Sequence, residues 1–149
     1  MNPLFTIGYE QATSDAVLAE LKRARVRLLV DTRAIAASRR PGFSKRQLAA
    51  ALDENGIAYL HLRGLGTPAQ GRQAARSGDL ETLWRIYEQH IKTPGAQEEL
   101  DELTAIVRKS RVCLLCYERD PAHCHRSRIA ELVCERVGIE VKHLIPKLV

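Results

Sequence analysis

Residues 112–128, Val-Cys-Leu-Leu-Cys-Tyr-Glu-Arg-Asp-Pro-Ala-His-Cys-His-Arg-Ser-Arg, carry the signals that decide the fold. The apolar run 112–117 predicts a buried strand that ends before Glu118. Asp120 and Pro121 then predict the start of a helix that runs to residue 137, because aspartate caps helices and proline is favoured in their first turn. A buried strand followed directly by a helix is the building unit of a parallel α/β sheet.

The same alternation of strand and helix extends outward over the chain. Further strands are predicted at 5–8, 27–32, 57–62 and 141–145. Helices are predicted at 14–25, 80–91 and 93–109, and a capping box at Ser44-Lys45-Arg46-Gln47 predicts another that ends at Asn55-Gly56. The glycine-rich segment 63–78 is predicted to be irregular.

We therefore expect residues 1–149 to form a single α/β domain of Rossmann-like three-layer type. Its sheet should be mainly parallel, with about five strands and helices on both faces, because the strands are nearly continuous apolar runs. Ligands bind such sheets in a crevice at the carboxyl ends of the strands. Polar and reactive residues follow the predicted strands at that edge, whereas the strand starts carry nothing comparable.

The composition describes an ordinary soluble protein, with 45% hydrophobic and 28% charged residues. No apolar run has membrane-spanning length and no signal peptide is expected, so no membrane partner is predicted. All four cysteines fall in the last third of the chain. Small secreted domains usually distribute their disulfide cysteines along the whole chain, so this clustering favours a cytoplasmic location. The net charge of +5 favours anionic partners.

Arginines and helix N-termini near the strand ends predict an anion-binding pocket. Bidentate guanidinium groups and free N–H groups are the usual means of holding phosphate or carboxylate. Tyr9 is expected either to form one wall of this pocket or only to cover the sheet edge. The expected ligand-binding residues are Tyr9, Arg33, Arg39, Ser44, Lys45, His61 and Arg126.

Four residues are expected to supply chemistry in the pocket. Glu118 and Asp31 are candidate acid–base groups, provided that they are partly desolvated. His125 and Cys116 are the second-line candidates. For each Asp–Arg combination, a structural ion pair at a strand end is an equally good interpretation.

Cys124 and the metal-ligand patterns lead to negative expectations. On a helix that begins at Pro121, the apolar stripe directs His125 and Arg126 toward the crevice and Cys124 away from it. Cys124 is therefore interpreted as a packed thiol, although a helix N-terminus would lower its pKa. The side chains of Cys113-Leu114-Leu115-Cys116 alternate across a strand, and His123, Cys124 and His125 lie too close together to chelate alone. Neither a metal nor a cofactor is expected.

Several motifs resemble the domain of unknown function 488 family, in the right order from end to end. They are Thr6-Ile7-Gly8-Tyr9, Val30-Asp31-Thr32-Arg33, residues 38–45, Tyr59-Leu60-His61 with Leu65-Gly66, and Leu115-Cys116-Tyr117-Glu118 through Cys124-His125-Arg126. The chain departs from the pattern at Thr32, where valine is frequent, and at Gly66-Thr67, where a second glycine is common. The resemblance implies a single α/β domain and the same choice of residues, and it supplies no reaction.

Together these features predict an enzyme or binding domain whose pocket takes a phosphorylated or otherwise anionic small molecule, such as a nucleotide or modified base. As an enzyme it would be a hydrolase or transferase acting on a nucleotide-like substrate. The alternatives are a nucleic-acid-binding module that uses the basic segment from Arg39 to Lys45, or a regulatory protein without turnover.

Overall fold

A computed structural model describes residues 2–148 and contains one five-stranded sheet in which the paired strands are all parallel. The strand order is β3-β2-β4-β1-β5. The strands are β1 Leu4–Gly8, β2 Leu28–Asp31, β3 Ala58–His61, β4 Val112–Cys116 and β5 Val141–Leu144. The predicted α/β class and the five predicted strands are confirmed.

Six helices connect and cover these strands. They are α1 Ser14–Arg23, α2 Lys45–Glu54, α3 Ala69–Arg76, α4 Leu80–Ile91, α5 Pro94–Val107 and α6 His125–Val137. Short 3-10 turns lie at Arg63–Leu65 and Pro121–His123. Within residues 2–148, no helix combines the length and the apolar character needed to cross a membrane.

The buried side chains divide into two clusters, one on each face of the sheet. One cluster contains the buried residues of α1 and α2, such as Val17 and Leu48. The other contains those of α4, α5 and α6, such as Tyr87, Leu100 and Ile129. The sheet is therefore the middle of three layers, as predicted from its apolar strands.

The position of β4 determines where a crevice opens. β4 lies between β2 and β1, and its own helix α6 covers the opposite face from α1 and α2, which follow β1 and β2. Chains leaving neighbouring strands toward opposite faces leave a gap at their carboxyl ends, where ligands of open α/β sheets bind. The crevice therefore lies at the ends of β4, β1 and β2.

One predicted loop is wrong, because the segment 63–78 contains α3. Gly71 is buried inside this helix, and a Cβ at that position would lie 2.6 Å from Cγ2 of Thr67 and 3.4 Å from Cγ2 of Ile86 on α4. The glycine thus leaves room for Thr67 beside α4, and this packing outweighs the low helix propensity of glycine.

Two predicted helix starts also differ from the structure. The helix expected from Pro121 is divided, because Cys124 adopts an extended conformation (φ −126°, ψ 141°) and becomes the N-cap of α6. The capping box is not formed. Ser44 is the N-cap residue of α2, but its hydroxyl bonds to the backbone of Ser38, and Gln47 accepts a hydrogen bond from Gly42 N.

Candidate functional site

The end of β4 is tied to the residues that follow β1 and β2. Thr32 donates from its backbone N–H and its hydroxyl to Leu115 O, at 3.0 and 2.8 Å. On the other side, Glu10 N donates to Tyr117 O at 2.8 Å. These bonds extend the parallel ladder beyond the strands, and they place the side chains from the three strand ends around one hollow.

Gly8 at the end of β1 is required by the close approach of the β4–α6 connection. A Cβ at Gly8 would overlap the carbonyl oxygen of Glu118 and would lie 2.9 Å from Nη1 of Arg126. Glycine is the residue that permits such contact between backbones. Gly8, the Glu118 carbonyl and Arg126 are therefore packed tightly together beneath the hollow.

Asp31 and Arg33 form a buried bidentate ion pair. Nε and Nη2 of Arg33 donate to the two carboxylate oxygens at 2.9 and 2.8 Å, and Tyr59 Oη donates to Oδ2 at 2.6 Å. Asp31 is fully buried and its carboxylate accepts four hydrogen bonds, including one from Arg33 N. The geometry thus favours the interpretation of Asp31 as a structural ion-pair partner over an acid–base role.

Arg33 uses its remaining donors on the protein as well. Nη1 donates to Phe43 O at 2.7 Å and to Tyr9 Oη at 3.1 Å, and the residue is only 6% exposed. Burial alone would lower the pKa of Arg33, but the hydrogen bonds and charge of Asp31 outweigh it and raise the pKa. Arg33 lines the hollow as a fixed positive charge and holds Tyr9, which stacks on Phe43 with ring centroids 4.4 Å apart.

Cys116, Cys124 and His125 form a buried cluster at the floor of the hollow. The Sγ atoms of the two cysteines lie within disulfide-bonding distance of each other, and Nδ1 of His125 lies 3.8 Å from Sγ of Cys124. His125 Nε2 is 2.8 Å from Thr32 O, so it carries the ring proton and leaves Nδ1 as a lone pair. Burial lowers the pKa of His125 to about 4, so the ring is neutral near pH 7.

The predicted direction of Cys124 is wrong. As the N-cap of α6 rather than a residue inside it, Cys124 turns its side chain inward, where Sγ accepts a hydrogen bond from Arg126 N and meets Cys116. Cys113 is buried in the core cluster on the α1 and α2 face of the sheet and is not part of the Cys116–Cys124–His125 group.

Arg126 lies beneath the hollow, where it is fully buried. Its Nη1 donates to Glu118 O and to Cys116 Sγ, the latter at 3.1 Å, and Nη2 donates to Arg119 O at 3.3 Å. Burial lowers the pKa of Arg126 to about 10. The predicted orientation of Arg126 toward the strand ends is right, but its guanidinium holds the β4–α6 connection and is not among the groups that line the hollow.

Glu118 is the carboxylate that reaches the hollow from this connection. It is partly buried, and its Oε2 lies 3.5 Å from Cys116 Sγ. Burial raises the pKa of Glu118, and the charge of Arg126 opposes that rise. A carboxyl group with a raised pKa that lines a cavity is suited to proton transfer.

The hollow is a cavity of about 800 Å³. The strand ends contribute Tyr9, Arg33, Cys116, Tyr117, Glu118 and His125 to its lining. The opposite wall comes from α3 and the start of α4, with Arg72, Ala75, Arg76, Leu80 and Leu83. His123 from the 3-10 turn and Ile35 complete much of the remaining rim.

Arg72 and Arg76 are cavity residues that sequence reasoning missed. Arg72 donates through Nη1 to Thr67 O at 2.9 Å, and Arg76 is exposed. They lie one turn apart on α3, a spacing that the sequence shows directly. This spacing carried no prediction because the segment 63–78 was expected to be irregular rather than helical.

Besides Arg126, four predicted ligand-binding residues lie elsewhere than in the cavity lining. Arg39 and Lys45 are exposed on the segment between β2 and the first turn of α2. Ser44 is engaged with Ser38, as described above. His61 ends β3, and its Nε2 lies 2.7 Å from Arg33 O, so it braces the segment after β2.

A family model described as "Domain of unknown function DUF488" matches residues 13–133. The matched range contains α1 through most of α6, with Arg33, Glu118 and the Cys116–Cys124–His125 cluster, while Tyr9 precedes it. No curated protein and no solved structure matches the chain.

Proposed function

Because the chain belongs to the domain of unknown function DUF488 family, whose description names no reaction, we propose its function from the cavity itself. The protein binds a phosphorylated small molecule of nucleotide size at the carboxyl ends of β1, β2 and β4. The observation that carries the proposal is one cavity whose lining combines aromatic and apolar side chains with the arginines of α3.

The size and place of the cavity support a small-molecule ligand. Its volume of about 800 Å³ falls within the roughly 300–1,000 Å³ of typical ligand pockets. It lies beside β4, whose helix α6 covers one face of the sheet, while α1 and α2, which follow the neighbouring strands β1 and β2, cover the other face. Ligands of open α/β sheets bind at such points.

The lining supports a ligand with a flat apolar part and an anionic part. Tyr117 is 44% exposed and packs edge-on to Tyr9, with ring centroids 5.4 Å apart, so it offers an open face to a nucleobase. Leu80 and Leu83 supply apolar surface. Arg76 then offers an exposed guanidinium for a phosphate group.

Glu118 is the residue that we place in the acid–base role. It lines the cavity, and within residues 2–148 no guanidinium is hydrogen-bonded to its carboxylate, in contrast to the carboxylate of Asp31. This arrangement fits a hydrolase or transferase that acts on a nucleotide-like substrate.

Binding is tested by titrating adenosine monophosphate, adenosine and inorganic phosphate into the full-length protein by calorimetry. A charge-assisted hydrogen bond contributes about 1.5–3 kcal/mol, so Arg76→Gln should weaken monophosphate binding by about 10–100-fold. The control is Arg108→Gln, an exposed arginine at the end of α5 outside the cavity lining. Equal binding of adenosine and its monophosphate, or equal losses in the two variants, would contradict the proposal.

The acid–base role has its own readout. We expect wild-type protein to convert a bound nucleoside phosphate to products separable by chromatography, and Glu118→Gln to bind it within a few-fold of wild type without converting it. Conversion at the wild-type rate by Glu118→Gln removes the assigned role. Binding without conversion by the wild type leaves a binding protein and removes the enzyme.

A second candidate function rests on the exposed basic segment before α2. Arg39, Lys45 and Arg46 are all exposed and lie outside the cavity, where they could contact nucleic-acid phosphates. This candidate predicts binding to duplex or single strands of any sequence that weakens steeply with salt. A gel-shift series in increasing salt tests it, and no retention at low salt rejects it.

A further inference from the structure

Three metal-ligating atoms converge at the cavity floor. The Sγ atoms of Cys116 and Cys124 and the ring nitrogens of His125 are so arranged that one ligand atom from each lies within 4.8 Å of the others. All three residues are buried. They come from the end of β4 and the start of α6, two rigid elements anchored in the same core.

The neighbours of these residues orient them as metal ligands are usually oriented. The hydrogen bond from His125 Nε2 to Thr32 O directs the unprotonated Nδ1 toward the sulfur atoms. A ligating histidine usually donates its other N–H to a carbonyl or carboxylate in this manner, which fixes the tautomer and the ring.

Arg126 supplies donors to both sulfur atoms. Its backbone N–H donates to Cys124 Sγ at 3.5 Å, and its Nη1 donates to Cys116 Sγ at 3.1 Å. Donors and a positive charge beside a thiol favour the thiolate, which is the form that binds metals. Two thiolates would also neutralise a divalent ion, so the ion would add no net positive charge beside the buried guanidinium of Arg126. The carboxylates of Glu118 and Asp120 would remain the nearby negative charges of that guanidinium.

The backbone separation of the two cysteines suits a metal better than a disulfide. Their Cα atoms are 7.3 Å apart, whereas disulfides usually span about 4.4–6.8 Å. A tetrahedral zinc ion with Zn–S bonds of about 2.3 Å holds two sulfur atoms roughly 3.8 Å apart. Rotation of the two side chains away from each other would provide that separation without moving the backbone.

We propose that Cys116, Cys124 and His125 bind one Zn²⁺ ion and leave its fourth coordination position open to the cavity. Cys116 and His125 both line the cavity, so the fourth ligand is a water molecule or an anionic oxygen of a bound molecule. Three protein ligands with one open position are typical of catalytic zinc sites. The open position rests on the proposed small-molecule function, whereas the three-residue site does not.

The site is tested with Co²⁺ alone, added to the reduced full-length protein without any nucleotide. We expect about one equivalent to bind with the thiolate-to-cobalt absorption of a sulfur-ligated site and the intense visible bands of tetrahedral coordination, and Zn²⁺ to displace it. Loss of an outer partner of a metal ligand costs about 10–100-fold in affinity. Cys116→Ser, Cys124→Ser and His125→Gln should each cost more than that.

Two matched controls keep a ligating residue type but lie outside the cluster. They are Cys134→Ser, near the other end of α6, and His123→Gln, which is exposed on the 3-10 turn. Both should retain the cobalt spectrum. A reduced wild-type protein that shows no thiolate-to-cobalt absorption overturns the proposal, as does a spectrum that persists in both Cys116→Ser and Cys124→Ser.

The open fourth position has a separate test. Inorganic phosphate or adenosine monophosphate, added to the cobalt-loaded protein, should change the visible bands. Unchanged bands at a concentration that saturates the cavity overturn the open position. A cobalt site that forms in protein unable to bind nucleotide supports the three-residue cluster and rejects the proposed function, so the two failures are distinguishable.

Discussion

The substitution Asp31→Asn should destabilise the protein far more than the loss of an ordinary Asp–Arg pair. It removes the charge opposite Arg33 and keeps the shape of the side chain. Asp31 is fully buried and Arg33 is 6% exposed, so the guanidinium would be left as a buried charge without a carboxylate. Without Asp31, burial lowers the pKa of Arg33, but an arginine side chain ordinarily titrates so far above neutral pH that the guanidinium stays charged.

The expected cost follows from this geometry. Removing one partner of a buried ion pair costs about 3–5 kcal/mol in the free energy of unfolding. For a chain of 149 residues, each kcal/mol lowers the melting temperature by about 2–4 °C, so a fall of about 6–20 °C is expected. The exposed pair Asp101–Arg136, in which the aspartate side chain is 71% exposed, is the matched control. Asp101→Asn should cost less than about 1 kcal/mol.

Urea unfolding at neutral pH, followed by circular dichroism, measures both variants. The double variant Asp31→Leu with Arg33→Met should be more stable than Asp31→Asn alone, because it removes the orphaned charge together with its partner. A loss in Asp31→Asn that does not exceed the loss in Asp101→Asn would refute the assignment of this pair as a buried structural element of the crevice.

Two further predictions test the floor of the cavity and a carboxyl group outside it. Gly8→Ala should cost about 1–3 kcal/mol or more in unfolding free energy, because the methyl group overlaps the Glu118 carbonyl. The control Gly95→Ala, in open space on α5, should be neutral or stabilising. Equal effects of the two substitutions in urea unfolding would contradict the close approach of Gly8 to the Glu118 carbonyl. Burial raises the pKa of Glu99, and its Oε2 is buried without a partner within residues 2–148. The folded state therefore holds this proton to higher pH than the unfolded chain, a stabilisation that is complete below the usual glutamate range and is lost as the pH rises through the raised pKa. The stability of Glu99→Gln relative to wild type should therefore increase between about pH 4 and pH 7. The exposed Glu98→Gln is the control. A difference in unfolding free energy between Glu99→Gln and wild type that stays constant across that pH range would contradict the raised pKa of Glu99.

The sheet could be predicted because its determinants are local in the sequence. A short continuous apolar run such as 112–117 is typical of a buried strand. Capping and turn residues then mark where each strand or helix begins and ends. The concentration of polar residues at strand ends likewise predicted that Tyr9, Arg33, Cys116, Glu118 and His125 would meet, and all five line one cavity.

The parts that could not be predicted depend on contacts between distant segments. The residues around Cys124 do not reveal that it adopts an extended conformation and meets Cys116, because that meeting depends on how α6 packs on β4. The helix α3 forms in spite of Gly71, since a side chain at that position would overlap the methyl group of Thr67 beside α4. Arg126 looked like an anion ligand in sequence, and tertiary packing places it under the floor.

The most direct test of the central claim is a crystal structure of the full-length protein with adenosine monophosphate. The account predicts the nucleotide in the cavity beside β4, with its base against Tyr117 and its phosphate on Arg76, within reach of Glu118. Density for the phosphate on Arg39 and Lys45 instead, with an unfilled cavity at a nucleotide concentration that saturates binding in solution, would contradict it.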